Sequence, residues 1–128
     1  KNNCDCELRP PLPPFGMLPD FTQPGFDAGF IRTSIAAFAR IREQHPALRH
    51  GSYRQEFIAN RQFAFWRGCS KERILIIVNS DFGQGFIFLP SVPAGEYKSL
   101  TDGTVYHSDN LKGLQLAPCS ILILRKRG

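Results

Sequence analysis

Apolar positions recur at helical spacing once in this chain and at alternate positions almost everywhere after it. Ile31, Ile35, Phe38 and Ile41 follow one another at spacings of four, three and three. That is the stripe of an amphipathic helix, predicted over Asp27–Gln44. Arg32, Arg40, Arg42 and Glu43 fall mostly off the stripe, and Ala36, Ala37 and Ala39 widen it. Asp27 suits the N-cap, where a carboxylate meets exposed amides and the positive end of the helix dipole. Pro46 predicts a sharp stop, because proline disfavours the helical region for the residue before it. Gly51 is expected to supply the freedom of a tight reversal.

From Ser52 the period changes to two. Strands are predicted at Tyr53–Ile58, Arg61–Arg67, Arg73–Val78, Gly85–Leu89, Glu96–Leu100, Thr104–His107, Gly113–Leu116 and Ser120–Arg125. Gly, Pro, Asn or Asp stands at most of the breaks, and Ala59-Asn60 reads as a hairpin turn in which Asn60 tolerates positive φ. Arg73–Val78 is a continuous β-branched run, the mark of a strand buried on both faces. Seven or eight short strands at spacings near ten residues predict a mainly β fold, an antiparallel Greek-key β-sandwich. Residues 1–26 carry Pro10, Pro11, Pro13, Pro14, Pro19 and Pro24, which forbid a long helix. Their Leu and Phe residues are too apolar for a linker, so this arm is expected to lie on something hydrophobic.

Composition changes the picture little. With 42% hydrophobic and 21% charged residues, the 128-residue chain has the make-up of a soluble globular domain. No apolar run approaches the roughly 20 residues a membrane helix needs. The formal net charge is +5, and Arg125, Lys126 and Arg127 supply three of those charges. They read as a solvated tail rather than a nucleic-acid arm. Cys4, Cys6, Cys69 and Cys119 allow three pairings, and Cys4-Asp5-Cys6 lacks the spacing of a zinc knuckle. Free thiols are expected, a weak lean towards a cytoplasmic setting. His45, His50 and His107 are too scattered for a metal site, and no cofactor is expected. His45 and His50 suit the negative end of the helix dipole. Phe82-Gly-Gln-Gly85 is a turn and not a phosphate loop, since no helix follows it.

Several stretches resemble one family. Ile41–Arg54 looks like the last barrel helix and exit segment of alpha-amylase family enzymes, glycoside hydrolase family thirteen. Asn60–Arg67, Glu72–Asn79, Pro93–Tyr97 and Ser120–Leu124 are similar to the β-sandwich that follows the barrel there. Asp5–Pro10 resembles the loop after the eighth barrel strand. The resemblance implies that residues 1–50 are the end of a (β/α)8 barrel, its last loop and helix, and that residues 51–128 are the C-terminal sandwich. It further implies a parent that cleaves α-glucosidic bonds with retention, using paired carboxyl groups about 5 Å apart. Those acids would lie upstream of Lys1, so the isolated chain is expected to be noncatalytic.

Within that resemblance Asp5 and Arg9 match an Asp-x-x-x-Arg pattern whose side chains contact a glucose unit. Carboxylate and guanidinium suit vicinal hydroxyls, one accepting and the other donating. The competing reading is that they only pair with each other. Trp66, the single tryptophan, alternates away from Phe63 and Phe65. If those two face the core, Trp66 points outward, to stack on a sugar or pack under a neighbouring domain. The expected partners are the missing barrel and an α-glucan oligosaccharide, with a second copy able to cover the helix face and no nucleic acid or membrane. The alternative is a freestanding carbohydrate-binding module, for which Trp66, Tyr97 and Tyr106 form no clear row.

Overall fold

The computed structural model describes residues 27–128. The proline-rich arm, with Asp5, Arg9, Cys4 and Cys6, lies outside the described residues. The described residues fall into two units, divided after Ala36. In the first, Asp27 caps helix α1 (Ala28–Gln44), its Oδ1 accepting the Phe30 amide at 2.9 Å. Ile31 and Ile35 of the stripe are exposed.

The second unit begins within α1, where Phe38 is exposed and Ile41 is half-buried. Helix α1 stops at Gln44, as Pro46 requires, and His45 turns extended at φ −116°. Pro46 then serves as the first residue of a short helix α2 (Pro46–His50), which the sequence reading missed. Proline is at home there because the first helical turn has no use for its amide hydrogen.

Eight strands follow: β1 (Ser52–Ile58), β2 (Gln62–Gly68), β3 (Arg73–Asn79), β4 (Gly85–Ile87), β5 (Glu96–Ser99), β6 (Val105–His107), β7 (Leu114–Leu116) and β8 (Ser120–Lys126). A helical turn, α3 (Ser108–Leu111), joins β6 to β7. Every pairing is antiparallel. The large sheet runs β1-β2-β3-β8-β5-β6, and β4 pairs with β7 in a small second sheet. The chain leaves for the second sheet twice and returns, so β8 is inserted between β3 and β5. The expected mainly β, sandwich-like architecture is present, with two very unequal sheets.

That inequality explains the β3 run. On one face Leu75 and Ile77 join Ala64, Trp66, Ile87, Leu89, Tyr97, Leu111, Leu116 and Leu124 in the core under the small sheet. On the other, Ile74 and Ile76 pack with Ala47 and Ile123, flanked by Ile41 and Leu48. A strand covered on both sides has no polar face to alternate.

Local chemistry departs from expectation at four places. Gly51 has φ −67°, which any residue adopts. Its need is space, since a Cβ would stand 2.3 Å from the Ala47 carbonyl oxygen and 2.8 Å from that of Gly68. Asn60 is not left-handed, because Cys119 (φ 45°) is the one non-glycine residue with positive φ among the described residues. The β1–β2 turn closes instead through the Ala59 amide on the Gln62 carbonyl at 2.8 Å. Arg125 and Lys126 are no loose tail but the end of β8, and the Arg127 amide donates to the Glu96 carbonyl at 2.8 Å. Trp66 faces inward, 5% exposed, while Phe63 and Phe65 lie on the opposite face. Alternation tells which residues share a face, and the indole took the face with the deeper cover.

The β3–β4 turn is organised by Asn79, which is 1% exposed. Its Nδ2 donates to the Gly83 and Ala117 carbonyls at 3.1 and 2.8 Å, and its Oδ1 accepts from Gln62 Nε2 and the Asp81 amide at 2.9 and 3.1 Å. All four bonding positions of the amide are used.

Candidate functional site

The antiparallel register brings the start of β1, the end of β2, the start of β3 and the end of β8 to one end of the large sheet. Ser52, Gly68 and Arg73 form one cross-strand row there, and Arg54, Trp66 and Leu75 form the next. The β1 register shifts between Gln55 and Phe57, a bulge at Glu56. An extra residue breaks the alternation, so Phe57 pairs with Ala64 on the core side. The Glu56 carboxylate accepts the Trp66 indole N–H at 2.8 Å and pairs with Arg54 at 3.1 Å. The Arg54 guanidinium lies over the indole, 5.8 Å from its centroid. Trp66 and Tyr97 meet at 6.2 Å, and the Tyr97 hydroxyl donates to the Pro93 carbonyl at 2.6 Å. Burial, helped by the negative charge of Glu56 and opposed by Arg73, pushes the Tyr97 hydroxyl up to about 12.

A cavity of about 390 Å³ opens beside this cluster, with Ser52, Arg54, Trp66, Gly68, Arg73 and Ser91 on its walls. Basic side chains crowd the same end of the sheet. Glu56 answers Arg54, Glu72 faces Arg125 at 3.4 Å, and Glu96 pairs with Arg127 at 3.1 Å. The Arg73 side chain makes no hydrogen bond or ion pair among the described residues.

Glu72 fastens the helical segment to the sheet. Its Oε2 stands 2.9 Å from His45 Nδ1, and its Oε1 accepts the Ala47 amide at 3.1 Å. Burial alone would raise its pKa. The His45 and Ala47 hydrogen bonds, with the charges of His45 and Arg125, outweigh that and hold the carboxyl below its ordinary 4.5. Arg67 Nε and Arg42 Nη1 add bonds to the Ala47 and Leu48 carbonyls at 3.3 and 2.6 Å. On this face Tyr53, Phe65 and Phe63 form a row, with ring centroids 5.4 and 5.9 Å apart.

Of the residues singled out from sequence, Asp5 and Arg9 lie outside the described residues, and Trp66 is the floor of a cavity instead of an outward platform. Sequence reading missed Arg54, Glu56, Glu72 and Arg73. The available signal was a pair of charged residues within each of two strand openings. Among the described residues no three His, Cys, Asp or Glu side chains converge as a metal site, and no helix is long and apolar enough to cross a membrane.

No protein-family model matches the sequence, and neither does any curated protein. Solved structures do match in fold, and they are alpha-amylase family glycoside hydrolases. AmyP in complex with maltose is 18% identical, over 75% of this chain and 20% of its own, with a TM-score of 0.68. The Geobacillus thermoleovorans alpha-amylase complexed with acarbose is 15% identical, over 87% of this chain and 25% of its own, with a TM-score of 0.70. The Anoxybacillus alpha-amylase is 20% identical, over 80% and 24%, at 0.66. At these identities the likeness is one of fold. The chain spans a fifth to a quarter of the length of the enzymes it resembles.

Proposed function

We propose that this chain is the noncatalytic C-terminal portion of an alpha-amylase-type glycoside hydrolase acting on α-glucans. Residues 1–50 complete the barrel's last loop and helix, and residues 51–128 are the sandwich that stabilises it. The observation that carries this reading is the lopsided coverage, most of this chain against about a quarter or less of each enzyme. The exposed Ile31, Ile35 and Phe38 of α1 support it, since a barrel would cover that stripe. So does the engagement of Glu56, Glu72 and Glu96 in ion pairs, which leaves them poor candidates for a hydrolytic pair. In the intact enzyme Asp5 and Arg9 contact a glucose unit.

The test has two arms. The purified chain, incubated with starch and maltooligosaccharides, releases no reducing sugar above buffer. Release that disappears when one of its own carboxylates is replaced would overturn the reading. In the intact enzyme, Asp5→Ala or Arg9→Ala lowers kcat/KM about ten- to hundredfold with little change in Tm, the loss expected for charged hydrogen bonds worth ~1.5–3 kcal/mol. Wild-type kinetics in both would remove these residues from the site.

A second reading, a freestanding carbohydrate-binding module, is favoured by the Tyr53–Phe65–Phe63 row. It requires that the chain be retarded in a starch-containing gel and that Tyr53→Ala abolish the retardation.

A further inference from the structure

We propose that the cavity beside Trp66 binds a small phosphorylated sugar, with Arg73 as the principal contact to its oxyanion. The inference rests on this chain's own residues and does not depend on the amylase-type reading. It begins with charge. Glu56, the carboxylate bonded to two of the cavity's lining residues, is already engaged by Arg54 and the indole, and Glu72, next to Arg73 in sequence, by His45 and Arg125. Arg73, the one charged residue of its row, has a side chain that no hydrogen bond or ion pair engages among the described residues, at the wall of the half-open cavity. A guanidinium presents a planar fork of donors that matches a phosphate's oxygens.

The shape follows from Gly68. It stands between Ser52 and Arg73 in the cross-strand row, where any side chain would project into the cavity. A Cβ there would meet only Ser52 Oγ at 3.7 Å and Arg73 Cγ at 3.8 Å, which is ordinary contact. The strand tolerates a side chain at this position, and its absence keeps the floor open. The remaining walls suit a sugar ring. Pro93 offers apolar surface and Ser52 and Ser91 offer hydroxyls, while Trp66, 5% exposed, lines the cavity with little open surface of its own. Arg54, held by Glu56 and the indole face, stands as a second, preordered cation. At about 390 Å³ the space falls in the small-molecule range and takes a monosaccharide phosphate, not a polymer.

Trp66 supplies the readout, as the only tryptophan of the chain. Its fluorescence is followed while glucose 6-phosphate, inorganic phosphate or glucose is added to the full chain. Glucose 6-phosphate is expected to change the signal saturably, phosphate to do so more weakly, and glucose not at all over the same range. Arg73→Gln should weaken glucose 6-phosphate binding at least tenfold. Gly68→Leu should block it with the circular dichroism and Tm retained, while Arg61→Gln, at the far end of the sheet, should leave it unchanged. If Gly68→Leu does not fold, the exposed Arg73→Gln variant decides alone. Absence of saturable binding, or equal affinity in Arg73→Gln, would overturn the site. Phosphate binding as tightly as glucose 6-phosphate would overturn the sugar, and glucose binding as tightly would overturn the anion.

Discussion

His45 Nδ1 and Glu72 Oε2 lie 2.9 Å apart, joining positions 27 residues apart in the chain. One belongs to the break between two helices, the other to the turn that opens β3. Because Glu72 also takes the Ala47 amide and faces Arg125, a single carboxylate ties the helical segment, the β2–β3 turn and β8 together. Glu72→Gln keeps the shape and removes the charge. It is expected to destabilise by ~1.5–3 kcal/mol near neutral pH, in line with hydrogen bonds to a charged group.

The pH dependence follows from the same carboxyl. Its folded pKa is depressed below the ordinary 4.5, so the unfolded chain takes up the proton more readily. The stabilisation is therefore complete above about 4.5 and is lost as pH falls through the lower folded value. Denaturant melts at stepped pH should show the wild type losing more stability than Glu72→Gln below that point. Parallel loss in the two proteins would remove Glu72 as a source of acid lability.

Gly51 sets two effects against each other. With φ −67°, alanine would ordinarily gain ~0.4–1 kcal/mol by restricting the unfolded chain. Here its Cβ would stand 2.3 Å from one carbonyl oxygen and 2.8 Å from another, both backbone. Overpacking of that kind costs ~1–3 kcal/mol or more, so the clash wins. Gly51→Ala should lower Tm, and an unchanged or raised Tm would show that α2 shifts freely.

Trp66 is 5% exposed. Iodide should quench its native fluorescence poorly and quench it efficiently after unfolding. Glu56→Ala would leave the indole N–H without its partner, a loss of ~1–3 kcal/mol. Efficient native quenching would restore the outward orientation.

Much of this was legible from the residues. The α1 stripe, the Asp27 cap, the Pro46 break and all eight strands follow from local periodicity and turn chemistry, which act over a few residues. What stayed hidden depends on distant partners. Trp66 could be grouped with Ala64 by alternation, yet which face lay under the small sheet depended on where β4 and β7 returned. Glu72 and Arg73 are adjacent charged residues in sequence. Only the register separates the one spent on His45 and Arg125 from the one facing an open cavity.

The account holds that β3, covered on both faces and flanked by β2 and β8, is the spine on which both cores of the Ala37–Gly128 unit rest. Amide hydrogen exchange tests this most directly, because protection reports the opening free energy of each segment. The slowest amides are expected in Ile74–Val78 and Ile121–Leu124, with α1 intermediate and the edge strands β1 and β6 faster. Exchange of Ile74–Val78 as fast as that of β6 would contradict it.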